Sequence, residues 1–387
     1  MPIPSSLFII TTALHLFFMH AADSATHWQD VQVLKQLKST ISPSTVPPPP
    51  ALIPGTSTST PATTSSPTNS PAASAATPSS TPPPGGPIPE SFSLLTRLQR
   101  LGLSRNSLTG SIPDSLGSLA ALEEMYLDNN MLSGAIPLSF NGLKNLKRLE
   151  LQGNKISGAF PELSQLGSLN FLDASDNAIS GELPPGMPPS LIEIAMRSNQ
   201  IEGNIPGSVA NLVSLQVLDL SRNNLSGSVP AGLFTHPSLE QLTLSYNQFG
   251  SVQVPGNSGW TSQLISVDLS NNEIRGFLPG FLGLMPRLSA LSLENNKFSG
   301  MIPTQYVLKV LSPGTGEGGL AQFERLLLGG NYLLGPVPGA FLDLKAGSVT
   351  VRLGDNCLYR CPVTLFFCEG GVQKSLMECK AFGPIIP

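Results

Sequence analysis

The chain has 387 residues, including 37 Gly and 37 Pro, and only 12% of its residues are charged. Globular proteins average about 25% charged residues and about 5% Pro, so this composition disfavours coiled coils and helical bundles. A formal net charge of -4 indicates no basic surface for nucleic acid, and four His leave little material for a catalytic or metal site. We therefore expect no enzyme activity, no cofactor, no metal and no nucleic-acid partner.

The first segment is apolar from Leu7 to Phe18 and is followed by small residues such as Ala21 and Ala22. A run of this length is too short to cross a bilayer, which needs about 20 apolar residues. It predicts a signal peptide over residues 1–24 and secretion of the chain, while a buried core segment is the alternative. No later stretch reaches membrane length, so we expect no transmembrane segment.

Residues 25–41 carry a short amphipathic pattern. Val31, Leu34, Leu37 and Ile41 fall on one face of a helix. A helix this short is marginal alone, so the pattern predicts an N-terminal capping helix that packs on another element.

The next segment, 42–87, contains no charged residue and is rich in Pro, Ser and Thr. Such a tract cannot bury enough apolar surface to offset its ordering entropy. It predicts a disordered linker, and a glycosylated stalk of a wall protein is the alternative.

From Ile88 to Asn356 one frame repeats about eleven times, and Leu215–Pro230 shows it most clearly. The frame is Leu-x-x-Leu-x-Leu-x-x-Asn-x-Leu-Ser-Gly-x-Ile/Val-Pro, which is typical of leucine-rich repeats. Its Asn recurs every 22 to 25 residues, with one step of 35 residues. The repeated residues are Asn106, Asn130, Asn154, Asn177, Asn199, Asn223, Asn247, Asn272, Asn296, Asn331 and Asn356.

Physical chemistry explains the letters of this frame. Leu218 and Leu220 alternate with Asp219, which predicts a short strand with the leucines inward and Asp219 outward. The Asn223 carboxamide can bind main-chain groups where the chain turns, and Gly227 permits a turn that a Cβ would hinder. One coil buries too little apolar surface to offset the entropy lost on folding, so the coils must stack.

The second half of the frame resembles the plant-specific extracellular class of leucine-rich repeats, as in LTGSIP at 108–113 and FSGMIP at 298–303. The resemblance implies an α/β-type solenoid wound as a right-handed superhelix, with short parallel strands on its concave face. It also implies a second small sheet formed by the Gly-x-Ile-Pro stretches. The predicted domain therefore covers residues 88–356.

The C-terminal block, 357–387, holds the only four cysteines of the chain: Cys357, Cys361, Cys368 and Cys379. Their clustering in a secreted chain favours two disulfides over a zinc site and predicts a disulfide cap, with three possible pairings left open. The block resembles the closing segment of kinase-less plant receptor-like proteins, including the Piriformospora-indica-insensitive type. Polygalacturonase-inhibiting proteins share the repeat class.

Relatives of that type carry a cysteine-bearing cap before the first repeat, whereas this chain has Pro, Ser, Thr and Ala there. Every Ala codon begins with GC, so a preceding T would give the Cys codon TGC one nucleotide earlier. Shifted in this way, Ala51–Gly55 permits Cys-Leu-Asp-Ser-Trp, which fits the family cap. We therefore consider the hypothesis that residues 46–84 are a frame-shifted reading of a genuine cap.

Outward strand positions form the surface that a partner would meet. The N-terminal half concentrates the aromatic, Arg and acidic side chains typical of binding hot spots, and three aspartates could meet a basic ligand. Solvated strand faces are the alternative for each residue. The candidate ligand-binding residues are Arg100, Tyr126, Arg148, Glu150, Phe171, Asp173, Asp219 and Asp268.

Two further features stand out in the repeats. The step of 35 residues places an insertion around Thr304–Phe323, which predicts a flexible excursion, that is, a loop that extends from the solenoid. The loop either contacts a partner or is a tolerated insertion without a binding role. Asn224 begins an Asn-Leu-Ser sequon, and its place after the turn Asn predicts an exposed glycosylation site.

These features and the resemblance imply a secreted recognition protein without enzyme activity. It would bind a peptide, glycan or protein through the concave face and act with a membrane receptor kinase in plant defence or development. Its expected location is the extracellular space, the cell wall or the outer face of the plasma membrane. An inhibitor of a microbial wall-degrading enzyme is the alternative, and a structural wall protein is a third reading.

Overall fold

The computed structural model describes residues 85–256, 259–312 and 320–380. The predicted signal peptide over 1–24, the capping helix over 25–41 and positions 42–84 of the linker or frame-shifted cap lie outside these residues.

The main element is a sheet of eleven parallel strands in chain order, here called the long sheet. Each strand has three residues, with a buried centre and two flanking side chains on the outer face, because side chains alternate along a strand. The strands are Arg100–Gly102, Glu124–Tyr126, Arg148–Glu150, Phe171–Asp173, Glu193–Ala195, Val217–Asp219, Gln241–Thr243, Ser266–Asp268, Ala290–Ser292, Arg325–Leu327 and Thr350–Arg352.

The other strands form two sheets, although the repeat class implied one. The first contains Thr109–Ser111, Met131–Gly134, Lys155–Ala159, Ala178–Glu182, Gln200–Gly203, Asn224–Val229 and Gln248–Val252. The second contains Arg275–Phe277, Lys297–Gly300, Tyr332–Pro336 and Cys357–Tyr359. The interruption follows from sequence, because the Gly250–Pro255 stretch is two residues longer than Gly227–Pro230 or Gly276–Pro279.

Short helices connect the sheets, and most begin directly after the Pro of the repeat, which is their N-cap residue in an extended conformation. The 3-10 helices are Glu90–Leu94, Asp114–Ser118, Leu138–Gly142, Gly207–Asn211, Gly280–Leu284, Gly339–Asp343 and Phe366–Cys368, and the α-helices are α1 (Ala231–Phe234), α2 (Thr304–Leu311) and α3 (Leu376–Lys380). None of the helices described is both long enough and apolar enough to span a bilayer.

The repeated asparagines lie inside the coil and join neighbouring coils. Asn223 donates from Nδ2 to the carbonyls of Met196, Leu220 and Ser221 at 3.0, 3.1 and 3.2 Å. Its Oδ1 accepts the N–H of Ile201 at 3.0 Å. Because Met196 and Ile201 belong to the preceding coil, Asn223 satisfies main-chain groups of two coils. Over the described residues, Asn106 of the first coil donates only to Leu103 and Ser104 of its own coil. The sequence predicted the main-chain contacts at the turn.

The insertion differs from the expected flexible excursion, because its first eight residues form α2, a packed helix. Tyr306, Lys309 and Val310 are buried, and the Lys309 Nζ donates to the Met285 carbonyl at 2.6 Å. The Tyr306 ring packs edge-on against Phe323 at 5.9 Å. Apolar spacing along α2 therefore fixes it to the core, while residues 313–319 lie outside the described residues.

The four cysteines form two disulfides beside the last coil, which confirms a C-terminal cap. Cys357 is bonded to Cys379 and Cys361 to Cys368. The cap also extends the asparagine pattern, because Gln373 accepts the Leu358 N–H at 3.0 Å and donates to the Leu353 carbonyl at 3.2 Å. A glutamine thus supplies the contacts that a next asparagine would make.

Candidate ligand-binding surface

The outer face of the long sheet carries two rows of side chains, because the parallel register aligns equivalent residues of successive coils. Arg100, Glu124, Arg148, Phe171 and Glu193 are neighbours in the first row. The second row contains Gly102, Tyr126, Glu150, Asp173 and Ala195. Six of the predicted site residues therefore lie on the first four strands.

These four strands carry two stacks of an Arg on an aromatic ring. The Arg100 guanidinium lies 4.8 Å from the Tyr126 ring centroid and forms an ion pair of 3.1 Å with Glu124. The Tyr126 hydroxyl donates to Glu124 at 3.0 Å. Burial and this hydrogen bond to a carboxylate raise the pKa of Tyr126, so the phenol stays protonated.

The second stack lies on the next two strands. The Arg148 guanidinium is 3.6 Å from the Phe171 ring centroid, and its Nε lies 2.5 Å from the Glu150 carboxylate. A guanidinium held by both a ring and an acid is fixed in position, which lowers the entropy lost when a ligand binds. We name the residues Arg100, Glu124, Tyr126, Arg148, Glu150 and Phe171 the paired cluster.

Negative charge accumulates at the border of the paired cluster. Burial raises the pKa of Glu193, Arg148 lowers it in part, and the neighbouring Asp173 raises it again. The Asp173 carboxylate also accepts the N–H of Ser175 at 2.9 Å. Within the described part of the chain, the buried Ser175 hydroxyl and Gln152 Oε1 have no hydrogen-bond partner. The carboxylates of this border can therefore accept a cation.

Asp219 and Asp268 lie in the same row but apart from the paired cluster. One and three strands separate them from Asp173, and adjacent strands are about 4.8 Å apart. Each also binds the chain after its own strand: Asp219 accepts the Ser221 N–H at 3.0 Å and Asp268 accepts the Ser270 N–H at 2.9 Å. The structure thus does not bring all eight predicted residues together.

Sequence reasoning left four charged residues of this face out of the site: Glu124, Glu193, Arg325 and Arg352. Glu124 lies between two predicted residues of the first row, and Glu193 is the next residue of that row after Phe171, so the row itself signals them. Arg352 lies on the eleventh strand, whose Val-Thr-Val-Arg-Leu alternation before Asn356 is the signal that could have found it. Asn224, the predicted glycosylation site, is exposed at the start of its strand in the seven-stranded sheet.

Comparisons with known proteins agree with this architecture. Leucine-rich-repeat family models match residues 89–132, 189–249 and 263–285. The fold is a leucine-rich-repeat solenoid. A comparison with curated protein sequences found no significant match.

Among solved structures, the solenoid is similar to ectodomains of plant receptors. The plant peptide hormone receptor RGFR1, in complex with RGF2, is 31% identical with a TM-score of 0.59, over 71% of this chain and 46% of the receptor chain. The Arabidopsis thaliana receptor kinase GASSHO1/SCHENGEN3, in complex with CASPARIAN STRIP INTEGRITY FACTOR 2, is 29% identical with a TM-score of 0.62. The match covers 76% of this chain and 34% of the receptor chain.

The Arabidopsis receptor kinase HAESA, in complex with an extended IDA peptide hormone, is 30% identical with a TM-score of 0.56, over 74% of this chain and 56% of that chain. The chain thus spans less than two thirds of the length of each of these ectodomains.

Proposed function

We propose that the chain is a non-enzymatic extracellular recognition protein that binds a peptide, glycan or protein ligand through the outer face of the long sheet. It would act with a membrane receptor kinase in plant defence or development. Its proposed location is the extracellular space, the cell wall or the outer face of the plasma membrane. The candidate ligand-binding residues named above are proposed to carry the contacts.

The paired cluster is the observation that carries this proposal. Aromatic and Arg side chains dominate binding hot spots because they supply large, rigid contact areas. Here Arg148 is held between Phe171 and Glu150, so the contact surface is formed before a ligand arrives. The acidic border at Asp173 and Glu193 favours a ligand with a cationic group beside an apolar one.

The similar receptors support the ligand class. The RGFR1 and HAESA structures are described as complexes with peptide hormones, so a solenoid of this kind can present a peptide-binding surface. We transfer that role to this chain as a proposal, with a peptide as the leading ligand. The disulfide cap is consistent with an oxidising, extracellular compartment.

The test is affinity capture by the secreted protein from plant wall extracts and from a panel of membrane-kinase ectodomains. The test variant combines Arg148→Ser with Phe171→Ser, and the control combines Val217→Ser with Gln241→Ser in the same row. We expect a specific partner that the control retains and the test variant loses. Capture of only a pectin-degrading enzyme would support the inhibitor alternative. Equal capture by both variants would exclude the paired cluster as the ligand-binding site.

A further inference from the structure

The residue directly before each repeated asparagine has a left-handed backbone in all eleven coils. Its N–H donates to the following coil or, in the last coil, to the cap, as where the Arg222 N–H donates to the Ser245 carbonyl at 2.8 Å. Because this conformation is shared, the side chains leave the coils in one direction and form a third row along the edge of the long sheet. We name it the rim row: Arg105, Asn129, Gly153, Asp176, Ser198, Arg222, Tyr246, Asn271, Asn295, Gly330 and Asp355.

Three neighbouring coils depart from the residue types that suit the rim row. The left-handed region favours Gly, Asn and Asp, and seven of the eleven positions hold one of these. Any other residue there, and a bulky ring above all, carries a conformational cost. Ser198, Arg222 and Tyr246 are consecutive exceptions, and Arg105 in the first coil is the fourth. Left-handed residues kept against their preference cluster at binding sites, so this stretch points to recognition rather than to folding.

Arg222 and Tyr246 stack on each other and keep their polar ends free. The Arg222 guanidinium lies 4.4 Å from the Tyr246 ring centroid, and both side chains are exposed. The stacked arginines of the paired cluster, Arg100 and Arg148, each bind a carboxylate, at 3.1 and 2.5 Å. Among the described residues, by contrast, no carboxylate forms an ion pair with Arg222, and the Tyr246 hydroxyl has no hydrogen-bond partner.

The acid nearest to Arg222 in sequence is occupied by another group. Asp219 accepts the N–H and the hydroxyl of Ser221 at 3.0 and 2.7 Å. The guanidinium of Arg222 is therefore available, with Ser198 before it and Tyr246 after it in the rim row. A guanidinium presents two parallel N–H donors that match the two oxygens of a carboxylate. Two hydroxyls beside it supply further donors for the same group.

We propose that Ser198, Arg222 and Tyr246 form a carboxylate-binding site for a peptide ligand, a ligand class that rests on the proposed function. The guanidinium binds the carboxylate, and its face opposite Tyr246 stacks on an aromatic neighbour of the acidic residue. Two strand spacings of about 4.8 Å and three residues along the chain separate this site from Asp173. The ligand therefore carries a cationic group and, about four extended residues away, an acidic residue beside an aromatic one.

The probe is the acetylated and amidated peptide Gly-Asp-Phe-Gly, added to the full secreted protein labelled with 15N. All proteins in this test carry Asn224→Gln, because a glycan two residues from Arg222 would obstruct the site. We expect saturable shifts of the Arg222 side-chain resonance and the Tyr246 amide resonance. The matched peptide Gly-Asn-Phe-Gly lacks only the carboxylate. It should bind about tenfold more weakly, the loss expected from a charge-assisted hydrogen bond.

Variants locate the site and separate it from the paired cluster. Arg222→Gln should abolish the shift of the Tyr246 amide, whereas Arg105→Gln, at the exposed rim-row arginine of the first coil, should not. Arg148→Ser combined with Phe171→Ser should bind this probe unchanged. A failure of the proposed function would therefore leave this measurement intact, and a failure of the carboxylate site would leave capture through the paired cluster intact.

A stability measurement separates a binding role from a structural one. Arg222→Asn combined with Tyr246→Asn restores a residue type that suits the left-handed region. It should raise the melting temperature by about 2 °C while abolishing probe binding, because relief at two positions exceeds the contribution of an exposed stack. An unmoved Tyr246 amide, equal binding of the two peptides, or a lower melting temperature of this variant would each overturn the proposal.

Discussion

The inner and outer sides of the long sheet differ in how much their residues change from coil to coil. Inside, the asparagines make nearly the same set of contacts in successive coils, as Asn199 and Asn223 do. Outside, neighbouring positions hold Arg148, Phe171 and Glu193, which share no chemistry. The inner side therefore specifies stacking, and the outer side is free to specify a ligand.

The largest effect should follow from removing an inner contact. Asn223→Ala deletes four hydrogen bonds and leaves buried main-chain groups without partners, so we expect a loss of about 4 kcal/mol in the free energy of unfolding. Urea unfolding followed by circular dichroism measures it. The exposed Asn211→Ala variant should change stability by no more than about 0.5 kcal/mol, and equal losses would refute the distinction.

Removing a disulfide of the cap should cause the next largest loss of stability. Its longer disulfide, Cys357–Cys379, spans 22 residues, and replacing both cysteines by Ser should cost about 3 kcal/mol through the entropy gained by the unfolded chain. The Cys361–Cys368 bond spans 7 residues and should cost about 2 kcal/mol. Thermal unfolding of the two double variants compares them, and the reverse order would contradict this account of the cap.

A pH-dependent effect should mark the packed insertion. Burial lowers the pKa of Lys309 from 10.5 to about 8, so between these values the unfolded chain binds more protons than the folded chain. Stability contributed by this residue therefore rises by about 3 kcal/mol as pH increases through that window. Lys309→Met should remove the rise, and Lys297→Met, on a partly exposed strand position, serves as the control.

Unfolding free energies of both variants and the parent between pH 7 and 10.5 provide the measurement. An unchanged pH slope in Lys309→Met would show that the lysine is solvated rather than packed.

The smallest effects should occur on the outer face. Double-mutant cycles on Arg100 with Glu124 should give a coupling of about 0.5 kcal/mol, because both side chains are partly exposed. The Arg148 and Phe171 pair should give about 1 kcal/mol. Couplings above about 2 kcal/mol would mean that these residues support the fold rather than await a ligand.

The sequence predicts the inner side well, because Leu and Asn recur with one chemistry at fixed spacing. It predicts which residues share an outer row but not the ion pairs within it, since those depend on side-chain rotamers of Arg148 and Glu150. Two differences remain. Packing orders α2, because Tyr306 and Phe323 meet only in the folded chain. The single small sheet that the repeat class implied is divided into a seven-stranded and a four-stranded sheet, because Gly250–Pro255 is longer than the equivalent stretches of the neighbouring coils.

Paired binding and stability measurements on one variant test the central claim most directly. Arg148→Ser combined with Phe171→Ser should weaken binding of the captured partner at least tenfold, since hot-spot truncations cost about 2 kcal/mol or more. The same variant should keep the melting temperature within about 4 °C of the parent, the shift expected from losing about 1 kcal/mol. Unchanged affinity, or lost affinity together with a lower melting temperature, would contradict the separation of a folding interior from a ligand-binding exterior.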